Sequence, residues 1–183
     1  FIDWIKEKIV FVEIVAYSDE NAYTIFETMN DRGLNLTSTE MLKSFILSNV
    51  KDVERVGELN ELWKKQVSKL HSYSPIEDLE FVKAWLRSVY AETIRSSVKG
   101  AENEDFERIG TRFHTWVRDN LKKIGLRDSD SFYYFVKGDF NFYFNVYCKI
   151  KDAQTSWTEP LTDLFITSYW NIASSLSFPL FLA

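Results

Sequence analysis

The apolar positions of the chain change early from a strand-like run to a helical spacing. Residues Ile9 to Tyr17 form one apolar run rich in β-branched side chains. Its length and composition favour a buried strand over a helix. A lone strand leaves its backbone polar groups unpaired. We therefore expect its partner strands upstream in a longer protein, or self-association through this strand in a second copy of the chain.

Two helices with clear end signals follow the strand. The first begins at Asp19 and ends at Asn30-Asp31-Arg32-Gly33, where glycine can take the left-handed conformation that terminates a helix. Thr37 to Glu40 reads Thr-Ser-Thr-Glu, the pattern of a capping box at the start of the second helix. The predicted buried stripe of that second helix consists of Met41, Leu42, Phe45 and Ile46.

Helical spacing continues from about residue 51 onward. The first predicted helix carries Val56 to Leu70, and the second begins at Pro75 with Leu79, Val82, Leu86, Val89 and Thr93 on one face. The third covers 104–124 and ends at Gly125. An aromatic helix capped by Asp128 to Ser131 runs to about Lys151, and a last helix runs from Pro160 toward Ser177. The fold class predicted is mainly α, a multi-helix bundle with one N-terminal strand left over from an α/β domain.

Composition narrows the classes of protein. Of the 183 residues 45% are hydrophobic and 16% aromatic, which excludes a disordered chain. No apolar run reaches the roughly 18 residues that cross a bilayer, so we expect no membrane partner. The net charge of −5 lacks the basic signature of a stand-alone nucleic-acid binder.

Two further features concern the cellular location of the protein and the ends of the chain. The single cysteine, Cys148, excludes an internal disulfide and favours a reducing, cytoplasmic location, and its aromatic neighbours indicate a buried, inert thiol. The chain starts at Phe1 without an initiator methionine and ends in the apolar stretch Phe178 to Ala183. We expect it to be an internal piece of a larger protein.

Signals for catalysis are weak. His71 and His114 lie far apart and belong to no metal-binding spacing, and the six glycines form no phosphate-binding loop. No serine or cysteine has a base beside it in sequence. We therefore predict no catalytic residues, no metal site and no cofactor within the chain. The sequence does not decide whether the protein is an enzyme.

One helix carries a basic face. At about 100° per residue, five basic residues of the helix 104–124 fall within an arc of roughly 140°, opposite its apolar side. These residues are Arg108, Arg112, Arg118, Lys122 and Lys123. They can contact phosphate groups of DNA or an acidic partner. The alternative is a solvated face whose cations suit the C-terminal end of the helix dipole.

The turn that ends the first helix is a second candidate. It places Asn30, Asp31, Arg32 and Gly33 just before the next helix start. Arg32 can hold a phosphate with two hydrogen bonds, and a helix start offers free N–H groups. The alternative is structural, with Asn30 and Gly33 ending the helix and Arg32 paired to a neighbouring carboxylate.

The same segment carries a family resemblance. Residues 25–37 read Ile-Phe-Glu-Thr-Met-Asn-Asp-Arg-Gly-Leu-Asn-Leu-Thr, with Leu42-Lys43 after them. This string resembles the F-E-x-x-N-x-R-G-x-x-L-(S/T)…L-K signature of the GmrS-like family, also called domain of unknown function 262. That family forms the N-terminal part of GmrSD-type modification-dependent restriction systems. The resemblance implies the C-terminal end of a ParB/sulfiredoxin-like nucleotide-binding domain over 1–50 and a helical domain over 51–183.

The resemblance also implies a function. Family members are expected to use nucleoside triphosphates to control cleavage of foreign, often modified, DNA in anti-phage defence, and a His-Me finger nuclease domain often follows. The family's Asp-Gly-Gln-Gln-Arg segment and an Asp-His nuclease motif are both absent here. By this resemblance Asn30, Arg32 and Gly33 are the functional turn, with Asp31 and Phe26 as neighbours.

The prediction is therefore a non-catalytic piece that supports nucleotide-controlled DNA recognition or cleavage. Its partners are the flanking domains of the parent protein and DNA, and any nucleoside triphosphate or divalent metal belongs to the parent. The alternatives are a helical protein-interaction module, or a DNA-contacting domain that uses the basic helix.

Overall fold

The computed structural model of the chain describes residues 36–157, 159, 161–167 and 173–183, and these are mainly helical, as predicted. The predicted strand at 9–17 and the turn at 30–33 lie outside the described residues. By its internal contacts the chain separates into Phe1–Leu36 and Thr37–Ala183. The predicted domain limit at residue 50 stays a prediction. The fold described below is that of the second unit.

Helices follow one another along the described chain, and the connection between α3 and α4 covers residues 91–104. Their bounds are α1 Ser38–Ser48, α2 Val53–His71, α3 Glu77–Tyr90, α4 Asp105–Asp119, α5 Leu121–Ile124, α6 Ser129–Tyr134, a π-helical segment Phe135–Phe140, α7 Asn141–Thr155, α8 Thr162–Thr167 and α9 Ser174–Leu182. None of the described helices combines the length and the apolar character that crossing a bilayer requires.

The start of α1 confirms the predicted capping box. The Glu40 amide donates to Thr37 Oγ1 at 3.2 Å, and the Thr37 amide donates to Glu40 Oε2 at 2.8 Å. Two backbone donors that the helix leaves unpaired are satisfied in this way. Leu42 and Ile46 are fully buried, whereas Phe45 is only partly covered and packs edge-on against Phe132. The cap therefore fixes the start of α1, and the buried apolar side chains pack the helix against the core.

Helix α3 is the centre of the core and contacts α1, α2, α4, α7 and α9. Its largest buried side chains are Phe81 and Trp85, each 0% exposed. The predicted apolar face omitted both and was wrong at its C-terminal end. Val89 is exposed, and Thr93 lies beyond the last helical residue, Tyr90. The buried face turns toward Phe81 and Trp85 because α3 has neighbours on several sides.

The predicted single helix over 104–124 is divided. Arg112 has φ −143° and ψ 62°, which kinks α4, and Lys122 and Lys123 lie on the separate helix α5. Arg108 and Asp119 form an ion pair of 2.7 Å. In a straight helix these two residues would be roughly 16 Å apart along the axis, beyond the combined reach of the side chains. The kink makes the pair possible.

The aromatic helix begins as predicted and the last helix does not. Asp128 caps α6 by accepting from the Ser131 amide at 2.9 Å, and helical structure continues through the π-helical segment and α7. A single helix running from Pro160 toward Ser177 was wrong, since α8 and α9 are separate. Ala173, with ψ 133°, has the extended backbone that precedes α9. Gly125 ends α5 with φ 86°, also as predicted.

Candidate functional site

The five basic residues predicted to contact phosphate do not share one free surface. Arg108 is paired with Asp119, and Lys123 lies 2.7 Å from Asp105 and 3.3 Å from Glu92. Arg118 is partly buried. Arg112 and Lys122 are exposed, and neither forms an ion pair with another described residue. The structure thus leaves two of the five cations fully available to a partner.

The partner of Lys123 is a largely buried carboxylate. Asp105 accepts from the indole Nε1 of Trp116 at 2.9 Å and from the Glu92 amide at 3.3 Å, in addition to Lys123. Burial by itself raises the pKa of Asp105, but the hydrogen bonds from Lys123 and Trp116 outweigh it and hold that pKa below its usual value. Lys123 therefore has an internal structural role.

A better-formed candidate site lies beside the start of α1. A cavity of about 450 Å³ is bounded by the first turns of α1, the C-terminal half of α2 and the start of α3. We call it the lysine cavity, because Lys43 and Lys64 both line it. Its size lies within the range of small-molecule sites. The helix start adds the partial positive charge of its free N–H groups.

The charged form of Lys43 is destabilised in this cavity. Burial lowers its pKa, and the nearby ammonium of Lys64 lowers it further, while Glu40 and Glu61 act in the opposite direction. Glu61 bonds to Lys64 at 3.0 Å, and Glu40 is occupied by the cap of α1. An anion beside Lys43 would relieve the repulsion between the two ammonium groups.

Two polar groups complete the wall of the lysine cavity. Thr39 is 1% exposed, and its hydroxyl has no hydrogen-bond partner in the part of the chain that the structure describes. His71 Nε2 lies 3.0 Å from Oδ1 of the buried Asp78. That pair holds the imidazole in one orientation and also joins the end of α2 to the first turn of α3. It stabilises the helix junction whether or not a ligand is present.

The residues that line the lysine cavity are suited to binding an anion. Lysines and a helix start can hold a phosphate. Ser68 also lines the cavity, but no hydrogen bond joins it to His71, as activation of a serine nucleophile requires. Among the described residues no three His, Cys, Asp or Glu side chains cluster as metal ligands. Cys148 is buried, and burial raises the pKa of its thiol, which favours the neutral, unreactive form.

Sequence reasoning did not identify this site, although two of its residues lie in the quoted signature. Thr37 and Lys43 belong to the quoted signature, but Lys64 and His71 do not, and His71 was considered only as a metal ligand. Lys64 is 21 positions beyond Lys43 in the sequence. No local spacing brings two such residues together, so only the packing of α1 against α2 reveals them.

Comparison of the chain with protein families, with curated proteins and with solved structures gave no match. The family resemblance therefore depends on residues 25–43 themselves.

Proposed function

We propose that this chain is the helical part of a GmrS-like restriction or anti-phage defence protein, in which it supports nucleotide-controlled recognition of DNA. In this proposal the chain binds and relays but does not catalyse. The nucleotide's phosphates occupy the lysine cavity. By the resemblance alone, the Asn30 to Gly33 turn is also associated with nucleotide.

The observation that carries the proposal concerns the last residues of the signature. Thr37 caps α1, Leu42 is 0% exposed in the core, and Lys43 lines the lysine cavity. Each of the three has a separate task that its side-chain chemistry suits. A signature that ends on a cavity lysine fits the binding of a phosphorylated ligand better than a purely structural turn.

Removal of either signature cation should weaken nucleotide binding. In the intact protein, Arg32→Ala and Lys43→Met are each expected to weaken binding of fluorescent ATP and GTP analogues by about tenfold, because each change removes a charge-assisted hydrogen bond. Binding is measured by fluorescence anisotropy. Methionine keeps the length of the Lys43 stem, so the change removes mainly the charge.

Arg127→Ala is the matched control, since Arg127 is exposed and its side chain forms no bond to another described residue. Its nucleotide affinity should be unchanged. If Arg32→Ala and Lys43→Met lower the melting temperature while nucleotide affinity stays the same, the segment is structural. The chain is then better described as an interaction module.

Exposure of Arg112 and Lys122 favours a second function, direct contact with DNA. The double change Arg112→Glu with Lys122→Glu should weaken binding of a short duplex by about tenfold, because two phosphate contacts become repulsive. Binding is measured by gel shift over a series of salt concentrations. The DNA should stay uncut when Mg²⁺ is added.

The double change Lys65→Glu with Lys149→Glu is the control, because it alters the net charge equally at two other exposed lysines. Equal weakening in both double variants would mean that DNA responds only to net charge. The DNA-contact function then fails, as it also does if the unaltered chain binds DNA without dependence on salt.

A further inference from the structure

A second cavity lies along α3, between α7 and α9, with a volume of about 320 Å³. We call it the α3 groove. It shares only Ile76 with the lysine cavity. Four charged residues of α3 line it at helical spacing, and α7 adds one more; these residues are Glu77, Glu80, Lys83, Arg87 and Lys151. Three cations thus face two carboxylates, which leaves one positive charge in excess.

The carboxylates of the groove are already occupied. Glu77 Oε1 accepts from Lys151 at 2.7 Å and from the Tyr147 hydroxyl at 2.5 Å. Glu80 Oε1 accepts from Lys83 at 2.9 Å. Each glutamate therefore has a lysine partner. Arg87 is the cation left over, since it forms no ion pair with any described residue.

Arg87 is held in place by groups that do not use its terminal nitrogens. Its Nε donates to the Phe106 carbonyl at 3.0 Å, and its guanidinium carbon lies 3.9 Å from the centre of the Phe106 ring. Gly110 provides the space for it, because a Cβ there would lie 2.0 Å from Nη2. The guanidinium is thus fixed against α4 before any ligand arrives.

Because Arg87 is half-buried, its cation loses hydration without gaining an ion-pair partner among the described residues. Burial lowers the pKa of Arg87, while Glu80 and Glu107 act against that change from a distance beyond ion pairing. An oxyanion that accepts from both terminal nitrogens would offset the lost hydration. The single excess charge favours a monoanion, because a dianion would be repelled by the two glutamates. Ala84 and Phe178 supply an apolar wall for a small organic group.

We propose that the α3 groove binds a small organic monocarboxylate, with the carboxylate held by the guanidinium fork of Arg87. This site is separate from the nucleotide function proposed above and does not depend on it. Lys83 provides a second nearby cation, and the groove's small volume limits the ligand to a short chain or a single ring.

The test titrates the isotope-labelled chain with propionate at constant ionic strength. NMR follows the Arg87 Nε–Hε signal and, in every variant, the backbone amide signals of the residues that line the groove. We expect a saturable shift. Arg87→Lys and Gly110→Ala should each weaken binding by about tenfold or more, the first by removing the fork and the second by displacing Nη2. Arg127→Lys, the same change at an exposed arginine outside the groove, should leave binding unchanged.

The unaltered chain alone can refute the proposal. Absence of a saturable propionate shift would overturn it, and so would saturation by inorganic phosphate without saturation by propionate, since that result indicates a dianion site. Equal weakening by Arg127→Lys would also overturn the proposal, because the effect would then not be specific to the groove. Melting temperatures of the variants separate lost binding from lost folding.

Discussion

Asp105→Asn should lower the free energy of unfolding by about 3 kcal/mol at neutral pH. The carboxylate of Asp105 is 14% exposed and accepts from Trp116, Lys123 and the Glu92 amide. Asparagine has one acceptor oxygen and no charge, so it leaves the ammonium of Lys123 half-buried beside a neutral amide. Urea unfolding followed by tryptophan fluorescence measures the difference.

The Asp105 effect should depend on pH in a defined direction. Since the pKa of Asp105 is lower in the folded chain than the ordinary 3.8, the stability it contributes is complete above that value and is lost as the pH falls through the folded pKa. The gap between the unaltered chain and Asp105→Asn should therefore be constant from neutral pH to about 5 and narrow below about 4.

Asp119→Asn is the matched control, because Asp119 also bonds to a cation at 2.7 Å but both partners are 43% exposed. An ion pair in that setting contributes less than about 1 kcal/mol. Equal losses for Asp105→Asn and Asp119→Asn, or a gap that stays constant at pH 3, would contradict a structural role for the buried carboxylate.

Phe81→Ala should be the most destabilising of these changes, at about 4 kcal/mol. Phe81 is 0% exposed, and its ring lies 5.2 Å from the rings of both Phe140 and Tyr147 and 6.1 Å from that of Trp85. It joins α3 to the π-helical segment and to α7. Alanine would leave a cavity that these large rings cannot close without losing their mutual contacts.

Chemical denaturation and near-ultraviolet circular dichroism measure the Phe81 effect, the second reporting the packing of the surrounding rings. Phe142→Ala is the control, since Phe142 is 60% exposed and should change stability by well under about 1 kcal/mol. Phe81→Leu provides a milder variant if the alanine variant does not fold. Similar losses at Phe81 and Phe142 would mean that the ring cluster is not the centre of stability.

The kink at Arg112 and the bond between Lys123 and Asp105 explain why the sequence predicted the basic helix only in part. A helical projection correctly places apolar residues such as Ile109 and Phe113 inside. It assumes a straight helix, however, and the kink at Arg112 invalidates that assumption. It also cannot show that Lys123 bonds to Asp105, 18 positions away. Such pairs depend on how α4 and α5 fold back on each other.

The two candidate sites likewise depend on packing that the sequence does not show. Lys43 stands in the quoted signature without a predicted role, and the lysine cavity forms only where α1 packs against α2. Arg87 carried no sequence signal, because its environment is built by Phe106 and Gly110 from another helix. A cavity is a property of packed surfaces, and a linear pattern does not describe it.

The local helix signals could be read from the amino-acid sequence alone. Thr37 and Glu40 begin α1, Asp128 begins α6 and Gly125 ends α5, each through contacts or backbone angles within about three residues. Tertiary structure alone decided that α3 is the central helix, that α4 kinks at Arg112, and that Arg87 and Lys43 face cavities. Local signals join residues that are close in sequence, so they act in the same way in any fold. The cavities and long-range pairs instead depend on which helices pack together, since their members are brought close only by burial of the shared core.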